Sequence, residues 1–551
     1  MPEVAGLRAD IVGQGSLYRE SAAWRWAARL LAISVLVPLL VIFGSWLFFE
    51  PETWRHLGAT VLPGLLRNTL WLIFGVAVGT LVLGVPLAWL TSSCEFPGRR
   101  ILDWALMLPF ALPAYVLAFV FVGVLDFSGP VQGGLRSLFG LPPAWSFEVR
   151  NTLGVIIVMT LVLYPYVYML ARVSFLGQGQ SAYEAGRSLG LGPWEAFFRV
   201  SLPMARPGII AGLSLALMEA LADFGAVSVF NFDTFTTAIY KSWFGLFDLQ
   251  SAAQLASILL TLVLVALLIE RRFRARARFT DPGRGGSQRR IRLRGRAALG
   301  ASLFAWGVLL LAFVAPVWRL LSWALGSLDD LDLRYLDLFA HTASLGMMAA
   351  VFTVCGAFVL AFAQRYHADM STALSVRIGT LGYALPGSVL AVGVMLSLTW
   401  IDHRVADVWQ VLTGDEIGLL LSGSVIALLM AYFARFLAVA YGPVDSGLER
   451  IRPSIRDAAR SLGAGQWETV WRIYLPMLRP GLLTAALLVL VDVMKEMPAT
   501  LLLRPFGWDT LAVRIYELTS EGEWERAALP AVGLLLVGLL PVILLVRKSA
   551  R

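Results

Sequence analysis

Long apolar stretches separated by short polar ones dominate the 551-residue chain. A helix needs about 20 apolar residues to cross the hydrocarbon core of a bilayer. Six stretches reach that length in the first half, near Val35, Val76, Val116, Thr160, Leu217 and Leu260. Six more follow in the second half, near Leu310, Val351, Leu390, Leu428, Leu488 and Leu535. The pattern predicts an all-α integral membrane protein with about twelve transmembrane helices. Two of these helices would contain a proline, Pro113 and Pro386, which neighbouring helices can accommodate.

The second half repeats the first at an offset of 273 residues. The aligned pairs include Thr69 and Thr342, Pro113 and Pro386, Leu117 and Leu390, and the Arg-Pro-Gly motifs that end at Gly208 and Gly481. Six spans per half is an even number, so both halves enter the membrane in the same direction. The sequence therefore predicts two parallel six-helix repeats, unlike the inverted repeats of many secondary transporters.

Arginine gives the predicted orientation, because short cytoplasmic loops of membrane proteins are rich in Lys and Arg. Eleven arginines crowd residues 271–296, whereas acidic residues mark the alternate loops around 329–337 and 521–525. With twelve spans, both termini and the linker between the halves, which contains these arginines, are expected in the cytoplasm. The same clustering makes nucleic-acid binding a poor explanation of the net charge of +8.

These features divide the chain into four regions. We expect a cytoplasmic N-terminal segment over 1–24 and a first repeat over 25–271. An Arg-rich cytoplasmic linker over 272–297 and a second repeat over 298–551 follow. Two cysteines and four scattered histidines give no metal-ligand spacing, and we predict no catalytic residue and no metal site.

One amphipathic loop occurs once in each half. In the first copy, Tyr183 to Leu189 are expected to form a short helix that ends in a left-handed turn at Gly190. Pro193 suits the start of a second helix, which Leu202–Pro203 would close before Pro207 begins the next span. The second helix carries an apolar stripe at helical spacing, formed by Trp194, Phe197 and Phe198. A loop of this kind can lie on the lipid surface, but its repetition favours two docking sites for a partner.

Both loops resemble the coupling loop of binding-protein-dependent ABC import permeases. The first loop matches at Glu184, Ala185, Gly190, Val200, Leu202 and Pro203, and the second at Asp457, Ala458, Ala459, Gly463, Ile473, Leu475 and Pro476. The match is not identical at every position: Gly186 replaces an alanine, and Asp457 replaces a chemically similar glutamate. The resemblance covers both halves, residues 25–548.

The resemblance implies a permease subunit in a bacterial inner membrane. It implies two copies of a cytoplasmic ABC ATPase, one per loop, and a periplasmic substrate-binding protein. The ATP and Mg would belong to the ATPase, with no cofactor on this chain. A phosphate-binding loop needs Gly-Lys-Ser/Thr, and none of the three lysines follows a glycine.

Two pairs of acids interrupt apolar spans and are candidates for the translocation path. Glu219 and Asp223 lie four residues apart, a spacing that predicts one shared helical face, and the repeat places Asp492 and Glu496 at the matching positions. Charged groups are unfavourable in a bilayer, so these acids should face the interior between the halves, where they would suit a cationic substrate. The alternative is a structural role, as ion pairs, for example with Lys495, or as hydrogen-bond acceptors at helix breaks near Gly225 and Pro498.

Three longer segments further resemble the ferric-iron branch of the family: ADFGAVSVF, DTFTTAIYKSWFG and KEMPATLLLRPFGWDTLA. That likeness implies delivery of ferric iron by a periplasmic protein, with thiamine or another small solute as the alternative. A proton-coupled transporter of the major-facilitator type would also have parallel six-helix halves. Its basic signature belongs between the second and third helices, however, and here the repeated feature follows the fourth.

Overall fold

Twelve long apolar helices build the molecule, as the hydrophobic pattern predicts. The computed structural model describes residues 22–178, 181–276, 290–367 and 369–549. In this part of the chain, 12 helices are long and apolar enough to cross a membrane. The N-terminal residues 1–21 and the linker residues 277–289, with many of the predicted cytoplasmic arginines, lie outside the described residues.

The helices of the two halves follow one another in the same order. In the first half they are α1 (Ala23–Gly44), α2 (Pro51–Thr60), α3 (Leu62–Ser93), α4 (Arg99–Ala105), α5 (Ala114–Leu125), α6 (Pro130–Phe139), α7 (Thr152–Gln178), α8 (Ser181–Ser188), α9 (Pro193–Ala196), α10 (Leu202–Ala222), α11 (Gly225–Val229), α12 (Phe235–Tyr240) and α13 (Leu249–Arg276). In the second half they are α14 (Arg296–Leu309), α15 (Ala315–Gly326), α16 (Leu333–Tyr366), α17 (Met370–Gly379), α18 (Gly387–Thr413), α19 (Val425–Glu449), α20 (Pro453–Ser461), α21 (Gln466–Thr469), α22 (Leu475–Lys495), α23 (Pro498–Leu503), α24 (Leu511–Ser520) and α25 (Trp524–Ser549).

Short irregular elements join these helices. Four 3₁₀ turns cover Ser45–Phe48, Leu108–Ala111, Leu328–Asp330 and Leu381–Ala384. Four π-helical turns cover Phe197–Ser201, Lys241–Gly245, Leu310–Val314 and Val470–Tyr474. Two short strands, β1 (Cys94–Glu95) and β2 (Ile291–Arg292), pair in parallel and attach the end of the linker to the first half.

The two repeated prolines begin helices instead of bending them, which differs from the prediction. Pro113 and Pro386 have extended backbones and immediately precede α5 and α18. Proline pushes the preceding residue out of the helical region, and a 3₁₀ turn precedes each proline at the same distance. Each third span therefore starts at its proline, after a short helix and a 3₁₀ turn.

Three tightly packed helices form the centre of each half: α3, α7 and α10 in the first, and α16, α19 and α22 in the second. The repeated Arg-Pro-Gly motif explains part of this packing. A Cβ atom on Gly208 would lie 2.6 Å from the Leu170 carbonyl oxygen, and one on Gly481 would lie 2.9 Å from the Pro443 carbonyl oxygen. Small residues allow membrane helices to approach closely, so the motif marks the same helix crossing twice.

The halves of the sequence exchange their outer helices. One hydrophobic core joins the centre of the first half with α14, α15, α24 and α25 from the second. The other core joins the centre of the second half with α1, α12 and α13 from the first. The crossing of α1 and α18 is one of the close contacts, because a Cβ atom on Gly393 would lie 2.5 Å from the Pro38 carbonyl oxygen. Each bundle therefore contains segments from both halves of the chain.

This crossing predicts that Gly393→Ala destabilises the protein by about 1–3 kcal/mol, the usual range for overpacking a close contact. The added methyl group meets backbone atoms, which cannot move as a side chain would. The measurement is thermal unfolding of the purified chain in detergent. Gly307→Ala in α14 is the control, because nothing lies within 4 Å of its Cβ position. Equal melting temperatures for the two variants would contradict the exchanged packing.

Candidate functional site: the repeated loops and the cavity between the halves

Each repeated loop is a short helix, a left-handed glycine and a second helix, as predicted. Gly190 follows α8 with φ of +89°, and Gly463 follows α20 with φ of +82°. The amide of Leu191 donates to the Gly186 carbonyl at 3.2 Å, and the amide of Ala464 donates to the Ala459 carbonyl at 3.0 Å. These bonds span five residues and close the helix end in the Schellman arrangement. No neighbouring atom crowds either glycine, so the backbone conformation alone requires the residue.

The second helix of each loop continues into the next span, and the prediction that Leu202–Pro203 closes it is wrong. Pro193–Ala222 is one helical segment in which a π turn, Phe197–Ser201, joins α9 to α10. The equivalent π turn, Val470–Tyr474, precedes Leu475–Pro476 in the second half. A proline cannot donate to the helical ladder, and the wider π turn accommodates that missing bond without ending the helix. Each loop is consequently rigidly continuous with its fifth span.

Both loops expose a matching apolar stripe, but Phe197, a predicted member, is partly covered because it packs on Trp89. Trp194 is 75% exposed, and its counterpart Trp467 is 63% exposed. The other exposed pairs are Leu189 with Leu462, Phe198 with Trp471, and Met204 with Met477. Among the predicted coupling residues, Glu184, Asp457, Ala458 and Pro476 are exposed, whereas Leu202, Pro203 and Leu475 are partly covered; Ala185 belongs to α8. Exposed apolar stripes of this kind mark protein–protein or membrane interaction sites.

Aromatic side chains hold the two loops against different parts of the molecule. In the first loop, Phe197 packs on Trp89 of α3, with ring centroids 4.9 Å apart. In the second loop, Trp467 packs on Trp24 at the start of α1, with centroids 5.4 Å apart. The second loop thus contacts the exchanged helix α1, which makes the two loops inequivalent beyond the difference between Gly186 and Ala459.

The four predicted acids meet in one cavity between the halves. This cavity has a volume of about 200 Å³, and its lining includes Glu219, Asp223, Asp492 and Glu496. Aromatic side chains, Phe110, Tyr115 and Tyr166, contribute much of the remaining wall. The repeat therefore brings symmetry-related acids to the interface of the two bundles, as the cost of exposing them to lipid requires.

The acids of each pair do not share one helical face, because the helices end between them. Asp223 follows the last residue of α10, and Glu496 follows the last residue of α22, both with extended backbones. The Asp223 carboxylate accepts the amide hydrogens of Ala226 and Val227 at 2.9 and 3.1 Å. The Glu496 carboxylate accepts the amide hydrogen of Ala499 at 3.1 Å.

The short helices α11 and α23 begin at these bonds. An anion at a helix N-terminus satisfies amide groups that have no partner within the helix. The second acid of each pair therefore has the hydrogen-bonding role foreseen as the alternative at the helix breaks, while it also lines the cavity.

Two cations enter this cavity from the second half only. Arg435 pairs with Glu496 at 3.1 Å, and both side chains are nearly buried. Lys495 donates to the Phe110 carbonyl oxygen of the first half at 3.1 Å. The repeat places Val162 and Ala222 at the corresponding positions of the first half. The acids follow the internal symmetry, and the cations break it.

Sequence reasoning missed Arg435, although a charged residue inside the apolar span near Leu428 is a signal of the same kind as the acids. No group of three or more His, Cys, Asp or Glu in the described ranges is arranged to hold a metal ion. The cavity lining combines carboxylates, one guanidinium, one ammonium and phenol groups. Such a surface can hold a charged solute by transient contacts, which transport requires.

Comparison with known proteins identifies relatives over nearly the whole chain. The family of binding-protein-dependent transport system inner membrane components matches residues 81–279 and again 354–550. The chain is 28% identical to the Fe(3+)-transport system permease protein FbpB 2 of Haemophilus influenzae, over 87% of this chain and 89% of the relative.

Two shorter relatives match about one half of the chain. The molybdenum transport system permease protein ModB of Escherichia coli is 31% identical over 34% of this chain and 83% of its own length. The sulfate transport system permease protein CysT of Escherichia coli is 30% identical over 36% of this chain and 68% of its own length.

The nearly buried ion pair gives a stability prediction. Arg435→Gln leaves the Glu496 carboxylate without its cation, and removing one partner of a buried pair costs about 3–5 kcal/mol. We expect a lower melting temperature that Glu496→Gln in the same chain partly restores, measured by thermal unfolding of all three variants. The matched control is Arg404→Gln, which breaks an exposed pair with Asp407 worth about 0–1 kcal/mol. An equal loss in the two arginine variants would contradict the assigned pairing.

Proposed function

The chain belongs to the family of binding-protein-dependent transport system inner membrane components, and we propose that it is the fused two-half permease of an ATP-driven importer of ferric iron. Two matches to the family in one chain indicate that both transmembrane halves are present. Membership excludes the major-facilitator alternative. The partner proteins in this proposal are a binding protein that delivers the substrate and an ATPase that drives the cycle.

The repeated loops are the proposed contacts with the ATPase. The observation that carries this assignment is the pair of matching apolar stripes, because two identical subunits would need two similar surfaces. In this proposal the loops, both termini and the Arg-rich linker face the cytoplasm, and two ATPase copies bind one loop each. ATP and Mg belong to those copies.

Each loop continues into its fifth span without a break, so a movement of the loop would be transmitted along that span. The fifth spans begin in the loops and end at Asp223 and Glu496 beside the cavity. A displacement of either loop would move the corresponding acid and the short helix that it caps. ATP-driven closure of the ATPase pair would in this way change the shape of the cavity, whose four acids line the proposed path.

Iron is proposed as the substrate because a relative that matches both halves is a Fe(3+) permease, and because four acids outnumber two cations in the cavity. The cations provide a specific reason for a second candidate. Arg435 and Lys495 could contact an oxyanion, and the molybdenum and sulfate permeases are relatives of one half. The thiamine alternative rests on the resemblance alone, because the relatives described above are Fe(3+), molybdenum and sulfate permeases.

Coupling can be tested with two glycine pairs at equivalent positions. Gly190→Val with Gly463→Val places a β-branched residue at φ values above +80°, which only glycine adopts readily. We expect these changes to distort both loops and to abolish ATP-dependent uptake in proteoliposomes that contain the ATPase and the binding protein. The chain should still insert and bind lipid, since the loops lie outside the bundle cores.

Gly192→Val with Gly465→Val is the matched control. These glycines lie in the same loops, have no positive φ and have no atom within 4 Å of the Cβ position. Uptake should remain close to that of the unmodified chain. Normal uptake in the Gly190 and Gly463 variant would refute the coupling assignment.

Substrate charge can be tested through the two acids that precede the helix breaks. Glu219→Gln with Asp492→Asn keeps side-chain size and removes two charges from the path. We expect ferric uptake to fall at least about tenfold, the equivalent of about 1.4 kcal/mol. The folded state is checked by chromatography and thermal unfolding.

Lys495→Gln is the opposing variant. If molybdate or sulfate is carried, and its uptake falls in Lys495→Gln but not in the acid variant, the oxyanion candidate replaces the iron proposal. Uptake of ferric iron that is insensitive to both variants would remove the acids from the path without affecting the coupling assignment.

A further inference from the structure

A second, larger cavity opens beside the second repeated loop, away from the path. Its volume is about 630 Å³, within the range of about 300–1,000 Å³ for small-molecule sites. The walls come from the end of α16, from α17, from α19 and from the start of α20. Nothing in the proposed transport mechanism uses this space.

The equivalent position in the first half can be compared with this cavity, because side chains fill it there. There Arg172 and Asp103 form a two-pronged ion pair with both distances at 2.7 Å. Tyr168 is fully buried beside them and donates to the Asp103 carbonyl oxygen at 2.9 Å. In the second half the corresponding residues are Asp445, Val376 and Tyr441. The exchange of arginine for aspartate, and of aspartate for valine, removes the ion pair and leaves the cavity open.

The lining carries charges of both signs. Three arginines come from three different elements: Arg365 from α16, Arg377 from α17 and Arg456 from α20. Two acids, Asp445 and Glu449, lie four residues apart on α19 and therefore share one face of that helix. The Gln364 side-chain oxygen is buried and lacks a hydrogen-bond partner in the described part of the chain.

Some of these charges are already fixed. Arg365 donates to the Ile451 carbonyl oxygen at 2.6 Å, which uses one of its five donors, and the Tyr441 hydroxyl bonds the Asp445 carboxylate. Arg377 is exposed and makes no ion pair among the residues that the structure describes. Arg456 pairs with Asp457 at 3.4 Å and lies over the Tyr366 ring. The lining thus combines cationic donors, Arg377 foremost, with carboxylate acceptors.

Polar contacts attach the start of α17, which contributes one wall of the cavity, to α1. Asp369 precedes α17 and pairs with Arg25 at 2.9 Å, and Arg29 donates to Ser371 at 3.1 Å. A hydrogen bond from the Thr372 side chain, helped by the nearby Arg25 charge, lowers the pKa of Asp369 and keeps this pair ionised. These contacts hold α17 along the first two turns of α1.

The adjoining surface is apolar. Met370 and Leu374 on α17 are exposed and stand one turn apart, on the same side of that helix. Exposed Trp26 and Leu30 continue the apolar surface on α1. Aromatic and arginine side chains at the end of a span are typical of the lipid–water interface.

We propose that this cavity binds phosphoethanolamine chemistry, a phosphate joined by a short linker to an amine, with the phosphate on the arginines and the amine on Asp445 and Glu449. Guanidinium groups bind phosphate oxygens with strong charge-assisted hydrogen bonds. The two carboxylates attract an ammonium group and repel a headgroup that has only negative charge, which provides selectivity. The ligand is either the headgroup of a membrane lipid or a free molecule with the same groups.

The test measures binding of short-chain phosphatidylethanolamine and phosphatidylglycerol to the purified full chain in detergent. We expect at least a tenfold preference for phosphatidylethanolamine in the apparent Kd. Asp445→Asn with Glu449→Gln should abolish that preference, because the amine loses its partners. Arg377→Gln should weaken binding of phosphatidylethanolamine at least fivefold. Arg100→Gln is the matched control, an exposed arginine on the equivalent helix α4, where the ion pair fills the corresponding position.

Free phosphoethanolamine distinguishes the two sources. If it competes at concentrations near the lipid Kd, the site takes the free molecule; if it fails to compete while the lipid binds, the site takes the lipid headgroup. Equal affinity for the two lipids, or a preference that persists in the acid variant, would overturn the proposal. If the double variant does not fold, the exposed single changes Glu449→Gln and Arg377→Gln test the same two kinds of charge.

Discussion

The molecule depends on ending two helices inside an apolar bundle without leaving backbone amides unpaired. Water is scarce at this depth, and an unsatisfied amide costs several kcal/mol. Asp223 and Glu496 resolve this by accepting amide hydrogens from the short helices that follow. The same carboxylates line the cavity, so the groups that permit the helix breaks also determine its charge. These two acids therefore cap helices and line the cavity at the same time. The sequence presented the two roles as alternatives.

The two halves share a duplicated backbone arrangement, and substitutions at equivalent positions give each half its own features. The glycine turns, the Arg-Pro-Gly crossings and the two capping acids occur at equivalent positions. Arg435, Lys495 and the open cavity beside the second loop have no equivalent in the first half. Because both halves share one backbone plan, each asymmetry can be traced to particular substitutions. Arg435 occupies the position of Val162 and changes the charge of the cavity between the halves. Asp445 occupies the position of Arg172 and leaves the cavity beside the second loop open.

The apolar stretches were sufficient to predict the number of spans, and the 273-residue offset and the glycine positions predicted the repeat and the glycine turns. These predictions succeeded because they depend on local sequence. Predictions from local sequence failed where tertiary contacts determine the structure. Pro113 precedes a helix because a 3₁₀ turn comes before it, and Pro203 stays within a helix because a π turn accommodates it. Glu219 and Asp223 line the cavity, as predicted from their charge, and the helix break that the sequence suggested near Gly225 begins at Asp223. Contacts across the halves, such as Lys495 with Phe110, have no signature in the sequence.

The exchanged outer helices have a consequence for biogenesis. The core built around α3, α7 and α10 is completed by α25, which is synthesised more than 300 residues after α10. Translation proceeds from the N-terminus, and domains usually fold in that order. Here the first bundle remains incomplete until α25 leaves the ribosome, so neither half can mature as an independent unit. Joining both halves in one polypeptide ensures that the two incomplete bundles are inserted side by side and in equal number.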